Sequence, residues 1–450
     1  MKVAKDFFYK IRDKYSNKFS VVTKDILKGS FWVFSGTACS KVLILLSTII
    51  VAHILTQDEY GQLGIIRTTI LLFISLSSFG IGTTATKYIA QYKNSDVVQT
   101  LKMYLISNIF AMSAAVFVSV LIFAFAPLIA NKSLNAPYLI NDVRVGAIIL
   151  FFSLINGAQS STLSGFEDFK SLAKTNILSG VSQIILLSIG AAFFKVTGAI
   201  IGFGLSFGIA SVYNMYHISK HIRALNGSLY DTFKMLKLSD FKIIYQFSLP
   251  IALTSWIDMP AYWWAKTVLV KQCGFQSMAT YDIADQWRSQ ILFIPGIIAQ
   301  VILPIFSRAI SKNDKKTLRS AMKTNLKLNI SISCVLTLCL IILSPFILKM
   351  YGPEYKNTIP LILLAVAACF DSVSNICGAY IFSHNKTWEV LGYNATWATS
   401  LIVFSYYFMN SGMKENGLAM AYLIAQIFLT ILMIRKTKLL MEKNDFKKIA

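Results

Sequence analysis

Charge is scarce in this chain, and acidic charge most of all. Of its 450 residues 14% are charged, and only 21 are Asp or Glu against 43 Lys or Arg. Soluble globular proteins carry about 25% charged residues, so a surface facing water cannot be covered here in the ordinary way, which excludes a cytosolic enzyme. Cysteine is no framework either. The six residues Cys39, Cys273, Cys334, Cys339, Cys369 and Cys377 contain no C-x-x-C pair and five fall in apolar stretches, so a secreted disulfide scaffold is excluded and they read as small hydrophobes. With four histidines, no metal-ligand spacing and no G-x-S-x-G, the sequence offers no catalytic constellation, no metal site and no cofactor site.

What is present is apolar length. Fifty-five percent of the residues are hydrophobic. Twelve long apolar stretches follow one another near 31–55, 63–85, 103–130, 145–165, 174–194, 197–217, 243–265, 283–306, 326–348, 359–383, 389–409 and 416–434. Each suits a membrane helix of about 20 residues. The expectation is an all-α polytopic membrane protein of about 12 transmembrane helices. The first 29 residues do not read as a cleavable signal peptide, because lysines recur through them and no uninterrupted apolar core appears.

The net charge of +22 first suggests nucleic acid, but its distribution says otherwise. Lys and Arg gather before the first stretch, in every second connection after it and in the tail, for 32 of the 43. The alternate connections, among them Lys132, Lys195, Lys266 and Lys271, hold eight. Such asymmetry is the positive-inside signature and predicts both termini in the cytoplasm, with no nucleic-acid partner. Around Phe7 and Phe19 aromatics alternate with lysines, as in an interfacial helix on anionic lipid or in a basic leader that only enforces topology.

The halves repeat at matched places. Tyr60 to Arg67 and Tyr281 to Arg288 share Tyr, six residues, then Arg, at an offset of 221. Asp96 and Asp314 lie 218 apart, and Gly198 and Gly417 lie 219 apart. The expected organisation is therefore a basic N-terminal segment 1–30, a first six-helix lobe 31–217, a cytoplasmic linker 218–242, a second lobe 243–434 and a basic tail 435–450, with a substrate path between lobes.

On these residues the sequence resembles the polysaccharide-transport branch of the MATE-like exporters, the lipid-linked oligosaccharide flippases typified by O-antigen flippases. The resemblance rests on Leu55-Thr56-Gln57-Asp58-Glu59-Tyr60-Gly61, Phe79-Gly80-Ile81-Gly82, Gly165-Phe166-Glu167-Asp168-Phe169 and Leu303-Pro304-Ile305-Phe306-Ser307-Arg308, with Gln57 where the family commonly has proline. It implies a MATE-like pair of lobes in a bacterial cytoplasmic (inner) membrane, alternately opening a cavity that moves an undecaprenyl-diphosphate-linked glycan outward for surface polysaccharide (O-antigen, lipopolysaccharide or capsule-like). Membrane lipids, a polysaccharide polymerase and glycosyltransferases are the implied partners.

Ionisable groups inside a bilayer are costly and usually face a cavity. The candidates are Lys41, Arg67, Asp258, Asp282, Asp285, Arg288 and Asp371. A diphosphate needs several cationic donors, and Arg engages it through forked hydrogen bonds, which points to Lys41 and Arg67, with Arg288 as the repeat mate of Arg67. The alternative is that each pairs with an acid or a carbonyl and only orders the bundle. Asp285, one turn before Arg288, suffices to pair it, and Asp282 and Asp285 read as salt-bridge or gating groups. The matching first-half positions, Gly61 and Gly64, leave Arg67 without a local partner. Asp258 and Asp371 are candidates for coupling to a proton or sodium gradient, or simply buried charge. Tyr262, Trp263 and Trp264 read as an outer aromatic belt, and the Gly198-x-x-x-Gly202 and Gly204-x-x-x-Gly208 pairs as close helix packing.

Two rivals remain. A cation-coupled multidrug exporter of the same fold should have an acid-dominated cavity. A membrane-embedded glycosyltransferase or polymerase should have large extramembrane loops, whereas the longest connection is the basic segment 218–242.

Overall fold

In the computed structural model, which describes residues 21–78, 80–242, 249–311, 314–384 and 386–446, every regular element is a helix. The aromatic and basic segment around Phe7 and Phe19 lies outside the described residues, as does Phe79. The order is α1 (Val21–Ile54), α2 (Gln57–Ser78), α3 (Ile81–Tyr92), α4 (Val97–Leu128), α5 (Ile140–Gly165), α6 (Phe169–Ala224) and the short α7 (Leu229–Lys234). Then come α8 (Leu249–Ile291), α9 (Phe293–Ser311), α10 (Lys315–Lys349), α11 (Ile359–Ser383), α12 (Thr387–Asn410) and α13 (Lys414–Phe446). Among the described residues eight helical segments are long and apolar enough to cross a membrane.

The side-chain pattern inverts that of a soluble bundle. On α4 the small residues Ala111, Ala115 and Ala126 are buried, while Phe117, Val120 and Phe125 are more than half exposed. Lipid is as apolar as a protein core, so small residues go where backbones approach and large ones face out.

Several boundaries differ from the apolar stretches, each for a local reason. The second stretch is divided at Gly80, whose φ of 65° no ordinary helical residue adopts cheaply, and the chain re-enters helix as α3. Helix α6 is a pair of arms that turn at Phe194 and Lys195. The arms pack through glycine: a Cβ at Gly198 would strike the Gly190 carbonyl, and one at Gly202 the Leu186 carbonyl. Gly204 is filled by Ile149 in the same way, but Gly208 faces open space, so close packing accounts for three of the four. The largest difference is α8. Its expected outer connection is reduced to one turn at Gly274, φ 81°, where two helical arms double back and bring Lys266 to Asp282 and Asp285. Lys266 therefore lies inside a helix, 2% exposed, and not in a loop.

Helix α6 packs on α1 and α5, while α3, α4 and α5 pack on one another. Helices α11, α12 and α13 pack on one another and on α8. The extensive join between these groups is α2 lying along α8.

The connections that the sequence marks as basic are tied down by ion pairs. In the α5–α6 turn Glu167 takes φ 60°, its carboxylate meets Lys93 at 2.6 Å, and Phe166 stacks on His221 at 5.0 Å. Asp168 caps α6 at the Ser171 amide and accepts from His221 at 2.9 Å; that histidine bond, stronger than the cost of burial, holds its carboxyl well below the usual range. Asp240 in the linker is held low by the Lys237 amide and then by Lys102 at 3.1 Å.

Candidate functional site

The contact of α2 with α8 begins with what α2 lacks. A Cβ at Gly61 would strike the Phe275 carbonyl, so only glycine lets the two backbones touch there. One turn on, a Cβ at Gly64 would stand 3.1 Å from the Asp282 carboxyl carbon. The helix start itself is fixed by Thr56 and Glu59, each side chain bonding the other's backbone amide, a capping box. Glu59 also meets Lys195 from the α6 turn at 2.8 Å. Gln57 donates to Thr280 and Gln276 to Asp58, so polar groups close this end of the contact.

Below it lies a ladder of alternating charge. Arg67 on α2 donates to Asp282 of α8 at 2.7 Å. Lys266 stands 3.6 Å from the other oxygen of Asp282 and 3.0 Å from Asp285. Arg288 bonds Asp285 at 3.0 Å through Nε and Asp371 on α11 at 2.7 Å. Tyr422 of α13 accepts from Arg288 at 2.6 Å and donates to Asp371. Three cations thus meet three carboxylates, and the ladder is formally neutral. That balance is what low dielectric demands, because an unpaired buried charge is far costlier than a pair.

Uncharged groups complete it. Gln286 donates to Asp282 at 2.8 Å and to the Tyr60 hydroxyl at 3.1 Å. Lys266 sits over the Tyr262 ring at 4.7 Å, and Arg288 over the Tyr422 ring at 4.5 Å. Trp263 donates to Thr69 across the contact and Trp256 to the Leu76 carbonyl. Trp256, Tyr262 and Trp263 lie within the first arm of α8, against α2 and the ladder, so Tyr262 and Trp263 do not form the expected outer belt. Beside the ladder, Trp287 donates to Tyr351, whose hydroxyl burial pushes up to about 12.

The sequence candidates therefore divide. Arg67, Asp282, Asp285, Arg288 and Asp371 come together in one network. Arg67 lies ten residues from the start of α2, about 15 Å along it. It has no acid on its own helix face, as Gly61 and Gly64 suggested, yet it is paired: the absent side chain at Gly64 leaves the space that Asp282 fills from α8. Beside Arg67 the void is about 10 Å³, room for a water at most. Lys41 stands apart. It lies about two turns from Thr48, which lines that void, or roughly 10 Å along α1. Its ammonium is over the Phe293 ring at 5.5 Å, with no carboxylate partner among the described residues. Lys266 was not singled out by its sequence, because it follows an apolar stretch at the position of a loop. The signal available was Gly274, midway between Lys266 and Asp282, since a turn there brings the two together.

Asp258 belongs to a different place. It lines a cavity of about 570 Å³ bounded by α8, α11, α12 and α13, whose wall includes Arg288, Asp371, Trp397 and Tyr422. One oxygen of Asp258 accepts from Asn394 at 3.1 Å, and the other has no partner among the described residues. Among the described residues no cluster of His, Cys, Asp and Glu is arranged to hold a metal.

Known proteins bear on this arrangement. The family described as polysaccharide biosynthesis protein matches residues 26–310. The EPS I polysaccharide export inner membrane protein EpsE of Ralstonia solanacearum is 22% identical over 419 residues, covering 90% of this chain and 93% of that protein. An inward-facing multidrug resistance MATE family transporter of the MOP superfamily matches with a TM-score of 0.77 at 16% identity, over 90% of this chain and 95% of the other. A MOP superfamily transporter from Pyrococcus furiosus gives 0.71 at 15%, over 94% and 96%. The likeness in structure establishes the fold as MATE-like.

Proposed function

The chain belongs to the polysaccharide biosynthesis protein family, and from that membership we propose that it is an inner-membrane transporter that flips a lipid-linked oligosaccharide to the outer leaflet. The observation that carries this reading is the neutral ladder between the two helix groups. In the proposal twelve passes, both termini cytoplasmic, form lobes 31–217 and 243–434 that rock about the linker 218–242. The α2–α8 contact is the closed side of the cycle.

The cargo is a glycan on undecaprenyl diphosphate, and the ladder responds to its charge. A diphosphate is a multivalent acceptor for Arg and Lys. Lys41, with no carboxylate partner among the described residues, meets it first. The diphosphate then replaces Asp282 on Arg67, with Lys266 as a second donor. Once Arg67 is satisfied by cargo, the ion pair that fastens α2 to α8 is gone, and the helices separate. Binding and opening are one exchange of anions, so the ligand favours the open state by its differential contacts. Gradient coupling by a proton or sodium ion has Asp258 as its remaining carboxylate, since Asp371 is neutralised by Arg288.

One cellular experiment tests this. Deleting the gene is expected to leave undecaprenyl-linked glycan inside the cell, and Arg67→Gln to reproduce that accumulation at normal protein level while wild type relieves it. Outer-leaflet glycan unchanged in both strains would overturn the reading. Accumulation of a drug in place of glycan would favour the exporter, for which the acidic second-half cavity is the supporting feature.

A further inference from the structure

A groove on the first helix group takes no part in the exchange at Arg67. Its volume is about 660 Å³, within the range of ligand pockets, and among the described residues its lining comes from α5 and α6 alone, with no charged side chain. The second arm of α6 supplies most of it. Leu205, Ile209 and Val212 stand out from that arm, 52%, 40% and 73% exposed, but Gly208 between them has no side chain, and a Cβ there would meet nothing within 4 Å. Phe152 of α5 and Leu178 of the first arm complete the sides. On the second arm the lining runs from Gly204 to Tyr216, about 18 Å at helical rise. That is close to half of the ~30 Å hydrocarbon core, the depth of one leaflet.

The end nearer the basic connections is polar. Tyr213 and Tyr216 line it, and both rings touch His217, at 4.6 and 5.2 Å between centroids. Lys220 lies one turn beyond Tyr216 and Lys174 one turn before Leu178, each on the same helix face as its neighbour. Both lysines are exposed, and the charges of both reach His217. The carboxylate facing His217, Asp168 at 3.9 Å, is already bonded by His221 and the Ser171 amide. Neither lysine pairs with a carboxylate among the described residues.

We propose that this groove holds one acyl chain of an anionic phospholipid from the leaflet on the basic side, with the lipid phosphate between Lys174 and Lys220. The apolar length matches one leaflet's chain, the tyrosines stand at headgroup level, and two unpaired cations at the head end set the sign of the charge. A zwitterionic lipid would bring its own cation against the lysines. A polyprenyl carrier is anionic too, but its chain is several times longer than the groove, and the α2–α8 contact that closes the cargo path contributes nothing to the lining. A second copy of this chain would set lysine against lysine.

The test uses the purified full chain in detergent, with native mass spectrometry reading its affinity for dioleoyl phosphatidylglycerol and dioleoyl phosphatidylcholine. The anionic lipid is expected to bind about tenfold tighter or more. In the double variant Lys174→Gln with Lys220→Gln, both at exposed positions, that ratio is expected to fall towards one. In Gly208→Leu, whose side chain fills the groove, the tightly held lipid is expected to be lost; the lysine variant decides the matter should the leucine variant fold poorly. Equal affinity of the wild type for the two lipids overturns the proposal, as does a preference that survives in either variant. Undecaprenyl phosphate binding tighter than phosphatidylglycerol, and losing that advantage in Gly208→Leu, overturns it in favour of the cargo's own chain. A dimer abolished by Gly208→Leu overturns it in favour of a second copy.

Discussion

The two arginines related by the internal repeat have opposite surroundings. Arg67 finds its carboxylate on the other helix group, beside a void of about 10 Å³; Arg288 finds Asp285 and Asp371 within its own group, at the edge of about 570 Å³. One repeat position has become a strap and its copy a pocket wall. The difference traces to residue 64, where glycine stands in place of the aspartate at 285. With no acid beside Arg67, α2 must borrow one, and borrowing ties the halves together.

The largest expected effect comes from breaking what the two ends share. Lys266→Met leaves Asp282 and Asp285 competing for too little positive charge, and removing one partner from a buried network costs about 3–5 kcal/mol. A melting curve in detergent is expected to drop steeply, and an unshifted curve would mean that the ends are independent.

A smaller effect separates strap from wall. Arg67→Gln alone strands Asp282, whereas Arg67→Gln with Asp282→Asn removes both charges, so the double variant is expected to recover about 1–3 kcal/mol of the loss. Asp282→Asn should give no such recovery to Arg288→Gln, whose partners are Asp285 and Asp371. If it rescues both equally, the comparison fails.

The smallest effect sets the baseline. Lys102 and Asp240 form a partly exposed pair that anchors the linker away from the ladder. Lys102→Met is expected to shift stability by at most about 1 kcal/mol, by the same melting measurement. A loss as large as that of Lys266→Met would show that charge removal anywhere is harmful and that the ladder is not special.

Much of this was readable in the chain. The apolar stretches, the Arg67–Arg288 relation and the isolation of Arg67 on its own helix all appear without coordinates, since each depends on spacing along one segment. Lys266 did not appear, because hydropathy ends the stretch just before it and a lysine at a stretch's end reads as a loop residue. Nor did the aromatic wall: Tyr262 carries the composition of an interface belt, and only its packing on Tyr422 and Tyr281 puts it inside.

The sequence by itself determined that this is a helical membrane protein with an internal repeat and a few charges where lipid would penalise them, because apolar length and periodicity are properties of a single strand of residues. Which charges meet was decided by tertiary structure alone. Asp282 reaches Arg67 from 215 residues away through the space left at Gly64, and a missing side chain acts only when another helix lies against it.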